Sequence, residues 1–346
     1  MSIRIGAGTL LASHTHMRAV RSLLLVGGAI ALLVLVYRLG ADSIASALIH
    51  VSWWQFLLVC QLQGLNVVVD ASAWRYALTG GGAPFWKLVA ARLAGDAANV
   101  LTALASVGGE AVKAWVLRGD VPYAESVPSL IVSKTAEVIA QALLLALGLL
   151  LAVTTEAVGP SLRTAMVYLL LVELVAVGGF IGVQVAGVFG HAGRVLAWAG
   201  ATAGTRHAER LDEALRGFYR HEWRRLLPCV TLYFVGWLIG VAQAALILDA
   251  LGLRASLVTA TILEALWSAV RFATFFVPAS LGTLEGANAA AFRAFGFSAG
   301  TGLAFTLVRR ACQAVWIGVG VCVLLALRPT RSPVVEQATP IASVAD

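Results

Sequence analysis

Charge is what this sequence is short of. Only 12% of its 346 residues are charged, while 60% are hydrophobic. A soluble globular domain carries about 25% charged and roughly 45–50% apolar residues. Half the usual charge cannot cover a water-facing surface of this size, so lipid must be the main solvent. The four cysteines, Cys60, Cys229, Cys312 and Cys322, lie in apolar stretches at no metal-ligand spacing. They read as small buried hydrophobes, and no metal or other cofactor is expected. A G-x-x-x-x-G-K-[ST] phosphate loop is missing, which argues against ATP hydrolysis by this chain, and so is H-E-x-x-H. The formal net charge of +7 could suggest nucleic acid, but the placement of the charges argues for membrane topology, and no nucleic-acid partner is expected.

What is present is a set of long apolar runs. Six have the length of transmembrane helices, at 20–37, 51–78, 129–153, 164–188, 226–251 and 301–327. The first follows Arg4, Arg18 and Arg21 as a secretory signal would, but it is long enough to span and no small-residue cleavage site clearly follows, so it reads as a retained helix. Two further stretches are hydrophobic but interrupted. Residues 86–118 contain Arg92, Asp96, Gly108, Gly109 and Glu110; residues 257–293 contain Glu264, Arg271, Pro278, Gly282 and Glu285. Each reads as two short helices joined at a Gly-rich break, with Gly108, Gly109, Pro278 and Gly282 as break residues. Broken backbone at membrane depth is tolerated only where protein or a water-filled cavity covers it, so both are read as re-entrant hairpins. The alternative is one ordinary span plus a surface helix in each case.

With that topology most basic residues fall on one side, at 1–21, 75–118, 191–225 and after 328. The other side keeps Arg38, Arg163, Arg254, Arg271 and Arg293. The positive-inside rule then places both termini in the cytoplasm. The loop 191–225, with Leu211, Leu215 and Phe218 at helical spacing among many arginines, reads as an amphipathic helix on an anionic leaflet. The tail 328–346, with Pro329, Pro333 and Pro340, reads as disordered.

Shifted by 175 residues, the interrupted segments correspond. Glu110 meets Glu285, Arg118 meets Arg293, and Lys134 meets Arg309. An odd number of crossings between the copies would invert one relative to the other, the arrangement transporters use to place substrate between repeats. The expected fold is therefore all-α and polytopic: about six transmembrane helices and two broken hairpins in an inverted repeat. Its halves lie near 86–153 and 257–327 within a domain at 20–327, after a cytoplasmic segment at 1–19. Charges at membrane depth need a partner or a cavity. Glu110, Arg118, Lys134, Glu137, Glu285, Arg309 and Arg310 are read as contacting a lipid head group, with Arg92, Asp96, Glu264 and Arg271 as supporting cavity charges. Lys134 and Glu137 can pair locally, Glu285 is the natural partner for Arg309 or Arg310, and Asp70 and Glu173 are weaker candidates. For any one of these charges the plainer reading is an ion pair that locks helices together.

The stretch Ala105-Ser-Val-Gly-Gly-Glu110 with Lys113 and Arg118-Gly resembles the first signature of the transmembrane region of lysylphosphatidylglycerol synthases and their flippase-like relatives. Phe276-Val-Pro-Ala-Ser-Leu-Gly282-Thr-Leu-Glu285-Gly resembles the second, with Gly302-Leu-Ala and Leu307-Val-Arg309-Arg310 after it. The resemblance covers roughly 20–327. Chain length and the paired arginines are similar to stand-alone members, including a hopanoid-biosynthesis-associated membrane branch. It implies handling of polar lipids in a bacterial inner membrane, with membrane lipids and lipid-biosynthesis enzymes as partners. Gly282-Thr-Leu-Glu285 departs from the pattern, where a Gln beside the Glu is expected. With fewer than about twenty residues after Arg328, aminoacyl transfer by this chain is not expected. A lipid translocase is thus the leading expectation. A non-catalytic subunit of a lipid-biosynthesis complex and an intramembrane lipid-modifying enzyme are the alternatives.

Overall fold

The computed structural model describes residues 51–80, 82–101, 107–156, 158–187, 205–275, 277 and 280–327. The expected first span at 20–37, the segment 1–19, the loop residues 191–204, Pro278 and the tail 328–346 lie outside them. Ten α-helices account for nearly all the described chain. They are α1 (Trp53–Ala77), α2 (Phe85–Leu101), α3 (Val107–Leu117), α4 (Tyr123–Thr154), α5 (Pro160–Ala186), α6 (Thr205–His221), α7 (Leu226–Ala250), α8 (Leu257–Ala273), α9 (Thr283–Ala294) and α10 (Ala299–Ala326). Five of them, α1, α4, α5, α7 and α10, are long and apolar enough to cross a membrane. They coincide with five of the six expected spans, and the fold is an all-α polytopic membrane protein.

The interrupted segments are indeed pairs of short helices. In the first, the Gly109 N–H donates to Asn99 Oδ1 at 2.8 Å, drawing α3 onto α2. The position of the glycines differs from the expectation. Gly108 and Gly109 are not the break; both sit in the first turn of α3. The small size of Gly109 serves helix contact, because a Cβ there would come within 2.3 Å of the Gly95 carbonyl oxygen. In the second segment Gly282 does lie at the break, with φ +79°, a conformation that a side chain would strain. Its N–H donates to Glu285 Oε2 at 2.8 Å, which caps the start of α9.

The internal repeat is larger than the 175-residue shift implied. Trp53 and Leu226, Phe85 and Leu257, Val107 and Thr283, and Tyr123 and Ala299 open equivalent helices, at offsets of 172 to 176 residues. α1–α4 thus repeat as α7–α10, and no single offset registers all four helices. Packing follows the same exchange. α1 lies along α7, while α2 packs on α10 of the other half and α8 packs on α4. Small residues permit both cross-contacts: a Cβ on Gly320 would meet the Leu93 carbonyl oxygen at 2.3 Å, and one on Gly148 would meet Ala265 Cβ at 2.7 Å.

The two hairpins open at opposite ends of the bundle. At one end lie the finish of α1, both outer ends of α2–α3, and the starts of α4 and α7. Arg225 Nη1 donates to Leu78 O there at 2.9 Å, and Lys87 pairs with Asp120 across the first hairpin. This basic end has its own apolar core, including Trp74, Leu88, Leu117, Leu130 and Tyr233. The opposite end holds the finish of α7, the outer ends of α8–α9 and the start of α10, around Val158, Leu251, Phe292 and Leu303. Helix α6 turns Leu215 and Phe218 into the basic-end core with Leu211 packed alongside. Its apolar stripe is therefore covered by protein rather than by a leaflet, correcting the sequence expectation. Arg216 Nη2 donates to Ala186 O at 2.9 Å, closing the C-terminus of α5.

Two outcomes follow from this packing. Gly320→Leu should weaken the contact of α2 with α10 and lower the thermal unfolding midpoint in detergent, by the about 1–3 kcal/mol typical of overpacking. Gly318→Leu, where nothing lies within 4 Å, should leave it unchanged. In a cysteine-free background, single cysteines at Arg118 and Arg293, both exposed, should react with an impermeant maleimide from opposite sides of a sealed vesicle. Labelling from one side would refute the inversion.

Candidate functional site

The repeat places polar side chains at matching depths in both halves, and each set forms a cluster. The first draws on α1, α2, α3 and α4. Arg92 bridges Asp70 at 2.9 Å and Asp96 at 3.1 Å. Lys113 pairs with Glu110 at 2.7 Å, and Lys134 with Glu137 at 3.0 Å. Ser133 and the Tyr233 hydroxyl share a hydrogen bond, and Trp74 Nε1 donates to Ser129 Oγ at 3.1 Å. Asp70, Arg92, Glu110, Lys113, Lys134, Glu137 and Tyr233 line one narrow cleft. As it stands the cleft has space for about one water molecule. It nevertheless reaches the surface: the side chains of its lining residues Lys134 and Glu110 are 47% and 33% exposed.

The second cluster uses α7, α8, α9 and α10. Arg309 is buried, paired with Glu264, donating to Gln243 Oε1 at 3.2 Å, and stacked 4.6 Å from the Trp267 ring centre. Arg310 Nε donates to the fully buried Glu285, whose other oxygen caps Gly282. Around the hairpin break, Thr274 and Thr283 donate to Ser280, Thr274 to the hydroxyl and Thr283 to the carbonyl. Ser280 itself holds φ +47°, a strained conformation of the kind that concentrates at functional sites.

The clusters are related helix by helix. By helix starts, Asp70 of α1 falls with Gln243 of α7 and Arg92 of α2 with Glu264 of α8, whereas Glu110 and Lys134 fall within one residue of Glu285 and Arg309. Their chemistry differs in one respect that matters. In the first cluster three of the four ion pairs join residues three or four apart on one helix, and only Arg92–Asp70 crosses between helices. In the second, Arg309–Glu264 joins α10 to α8, and Arg310–Glu285 joins α10 to α9. The first hairpin is held mostly by packing, the second by charge.

Most of the sequence-predicted residues are thus gathered into two places. The expected Lys134–Glu137 pair forms, and Glu285 takes Arg310. Two residues are not brought in. Arg118 ends α3 exposed, stacked 4.2 Å from the Trp115 ring centre and donating to Trp115 O. Arg271 is exposed near the end of α8. Tyr233, Ser133 and Gln243 were missed because neutral residues on apolar helices give no signal of their own. Asp70 was undervalued for want of its partner, Arg92. One motif match needs disposal: Gly296-Phe-Ser298-Ala-Gly300 fits G-x-S-x-G, but Ser298 caps α10 by accepting from the Thr301 N–H at 3.0 Å. A nucleophile elbow requires a strand-to-helix turn, whereas Ser298 follows helix α9. Of the cysteines, Cys60 and Cys312 approach to 2.9 Å between α1 and α10, and Cys229 is buried, whereas Cys322 is exposed.

The model of the lysylphosphatidylglycerol synthase transmembrane region matches residues 20–322. This chain belongs to that family. Comparison with curated proteins and with solved structures gave no match. The family assignment makes this a lipid-related membrane protein, and both charge clusters lie within the matched region.

Breaking the buried pair should unfold the second half while the exposed pair is dispensable for folding. Arg309→Met or Glu264→Gln should cost about 3–5 kcal/mol, because each strands a buried charge, read as a large drop in the unfolding midpoint in detergent. Glu222→Ala, at the exposed Glu222–Arg225 pair worth at most about 1 kcal/mol, should leave the midpoint nearly unchanged.

Proposed function

We propose that this protein moves a polar lipid between the leaflets of the bacterial inner membrane, without chemical change to the lipid. The observation that carries the reading is the unequal pairing of the two repeats. The second hairpin is fixed by two ion pairs to α10, so it acts as the anchor. The first carries most of its countercharges within its own helices and, if it shifts, loses one direct ion pair, Arg92–Asp70, and the longer-range attraction of Arg92 and Lys113 to Glu137. A hairpin that moves without stranding charges in lipid can open the cleft at low cost.

The cleft offers both signs, Lys134 and Glu110 in its lining, with Asp96 held by the lining residue Arg92. That favours a head group carrying phosphate together with an amine or hydroxyls, as in a phospholipid; a hydroxylated hopanoid would meet only the acidic side of the cleft. Lys134 and Lys113 would take the anionic part, and Glu110 and Asp96 the donor part, while acyl chains stay in lipid. Opposed hairpins supply access from each side in turn. The basic end, with Lys87, Arg118, Arg220, Arg224 and Arg225, is assigned to the cytoplasm by the positive-inside rule. Complete pairing of the ions also suits a non-catalytic subunit whose charges only hold helices together, and the following experiment separates the two.

In proteoliposomes of mixed phosphatidylethanolamine and phosphatidylglycerol, head-group-labelled lipid should cross leaflets faster than in empty vesicles. Lys134→Ala and Glu110→Gln should each slow the crossing about tenfold, as expected for loss of a charge-assisted hydrogen bond worth about 1.5–3 kcal/mol, with unfolding midpoints unchanged. Crossing no faster than in empty vesicles favours the subunit, and chemically altered lipid would favour an enzyme.

A further inference from the structure

Helix α5 is the outermost of the described spans. Only Met166, Glu173 and Gln184 along it are buried, and they form one seam against the rest of the bundle. Glu173 stands thirteen residues from Pro160 and thirteen from Ala186, so it is about 20 Å from either end. Its relative exposure is 1%, and its buried carboxyl has the neutral side chain of Gln141 as its hydrogen-bonding neighbour. Every ion pair of the two clusters leaves it out. An acid at the centre of a span, turned away from lipid and unmatched by any base among the described residues, is not explained by helix locking.

The elements packed against α5 are α4, α8 and α6. From α4, Gln141 stands beside Glu173, and its Nε2 donates to Ser268 O of α8 at 3.3 Å. Nearby charged groups on α4 are Lys134 and Glu137, paired to one another. On α8, Glu264 is held by Arg309, and Arg271 is exposed. From α6, Tyr219 reaches α5 only at Gln184, where its hydroxyl donates to Gln184 Oε1 at 2.9 Å. Gln184 Nε2 donates in turn to Thr135 Oγ1 at 3.0 Å. A polar row thus runs from the basic end along the seam between α4 and α5 toward Glu173.

We propose that Glu173 is a proton-binding site that couples the transmembrane proton gradient to lipid movement; the coupling rests on the transport reading, the proton site does not. The step is the binding of one proton by the carboxylate to give the neutral acid, and its release on the opposite side. Neutral Glu173 can donate to the Gln141 side-chain oxygen, leaving the amide hydrogens to Ser268. Ionised, it has only acceptors and draws those hydrogens toward itself. Because Gln141 belongs to the first repeat and Ser268 to the second hairpin, the protonation state is felt where the two halves meet.

Infrared difference spectra between acidic and alkaline pH read the site without any transport. The protein in lipid should show a protonated-carboxyl C=O band that is absent from Glu173→Gln. A spectrum identical in the two proteins overturns the proton site. In proteoliposomes, an inwardly acidic or alkaline gradient should change the rate of labelled-lipid crossing several-fold. Glu173→Gln should keep the rate seen at equal pH and lose the response to the gradient. A variant that responds like wild type, or a wild type that moves lipid with no response, overturns the coupling and leaves the transport reading standing. No lipid movement at equal pH or under either gradient overturns the transport reading and the coupling together, while the infrared band still decides the proton site.

Discussion

The contact of α7 with α1 holds the two halves together, and the rest of the arrangement is set by how close it is. Gly236 of α7 passes Asn66 and Asp70 so tightly that a Cβ would come within 2.7 Å of Asn66 Oδ1. Four residues on, Gly240 faces Glu264, where a Cβ would meet Oε1 at 2.6 Å. One turn of one helix, about 6 Å, therefore separates an acid of the first cluster from an acid of the second. A side chain at either glycine would have to displace the side chain of Asn66 or of Glu264, and with the latter its pairing to Arg309.

Within that common frame, the halves have taken different chemistry. Arginine at 309 stacks on Trp267 and reaches two acceptors at once, which suits a permanent buried contact. Lysine at the equivalent 134 is a flexible point charge whose partner sits one turn away on its own helix. Glutamate 285 is sealed and used as a helix cap, whereas Glu110 has the same place in the repeat and remains at a cleft mouth. The repeat supplies the geometry twice, and the residues decide which copy is fixed.

How far this could be read from the chain depends on what kind of signal each feature leaves. Spans announce themselves through length and apolarity, so 51–78 and 226–251 were legible almost to the residue. The hairpins were legible because Arg92, Asp96, Glu264 and Glu285 cannot be left bare in lipid. Their internal details were not. A glycine that opens a turn and one that admits a neighbouring helix look alike in sequence, which is why Gly109 was misplaced and Gly282 was not. The repeat was visible only where glutamate and arginine mark it. The match of α1 to α7 pairs Asp70 with Gln243, and that correspondence has no meaning until the helices are superposed. Leu215 and Phe218 show the same limit, since an apolar stripe does not say whether lipid or protein will cover it.

The distribution of countercharges bears on motion more directly than their number. A pair on one helix travels with that helix, so its desolvation is matched at every position the helix takes. A pair between helices must be broken for the helices to part, and breaking it inside a membrane leaves two bare charges. Arg92 is the single residue of the first cluster that does both, holding Asp96 on its own helix and Asp70 on α1. If α2 moves away from α1, Arg92 keeps one acid, and Asp70 is the group left uncovered. Asp70 is then the carboxylate that an incoming cationic or hydroxyl-bearing head group would find without a partner. On the transport reading proposed above, the first hairpin's movement would create the acceptor at the moment the cleft opens, and ligand entry would follow displacement of α2 rather than a cavity that stands open beforehand.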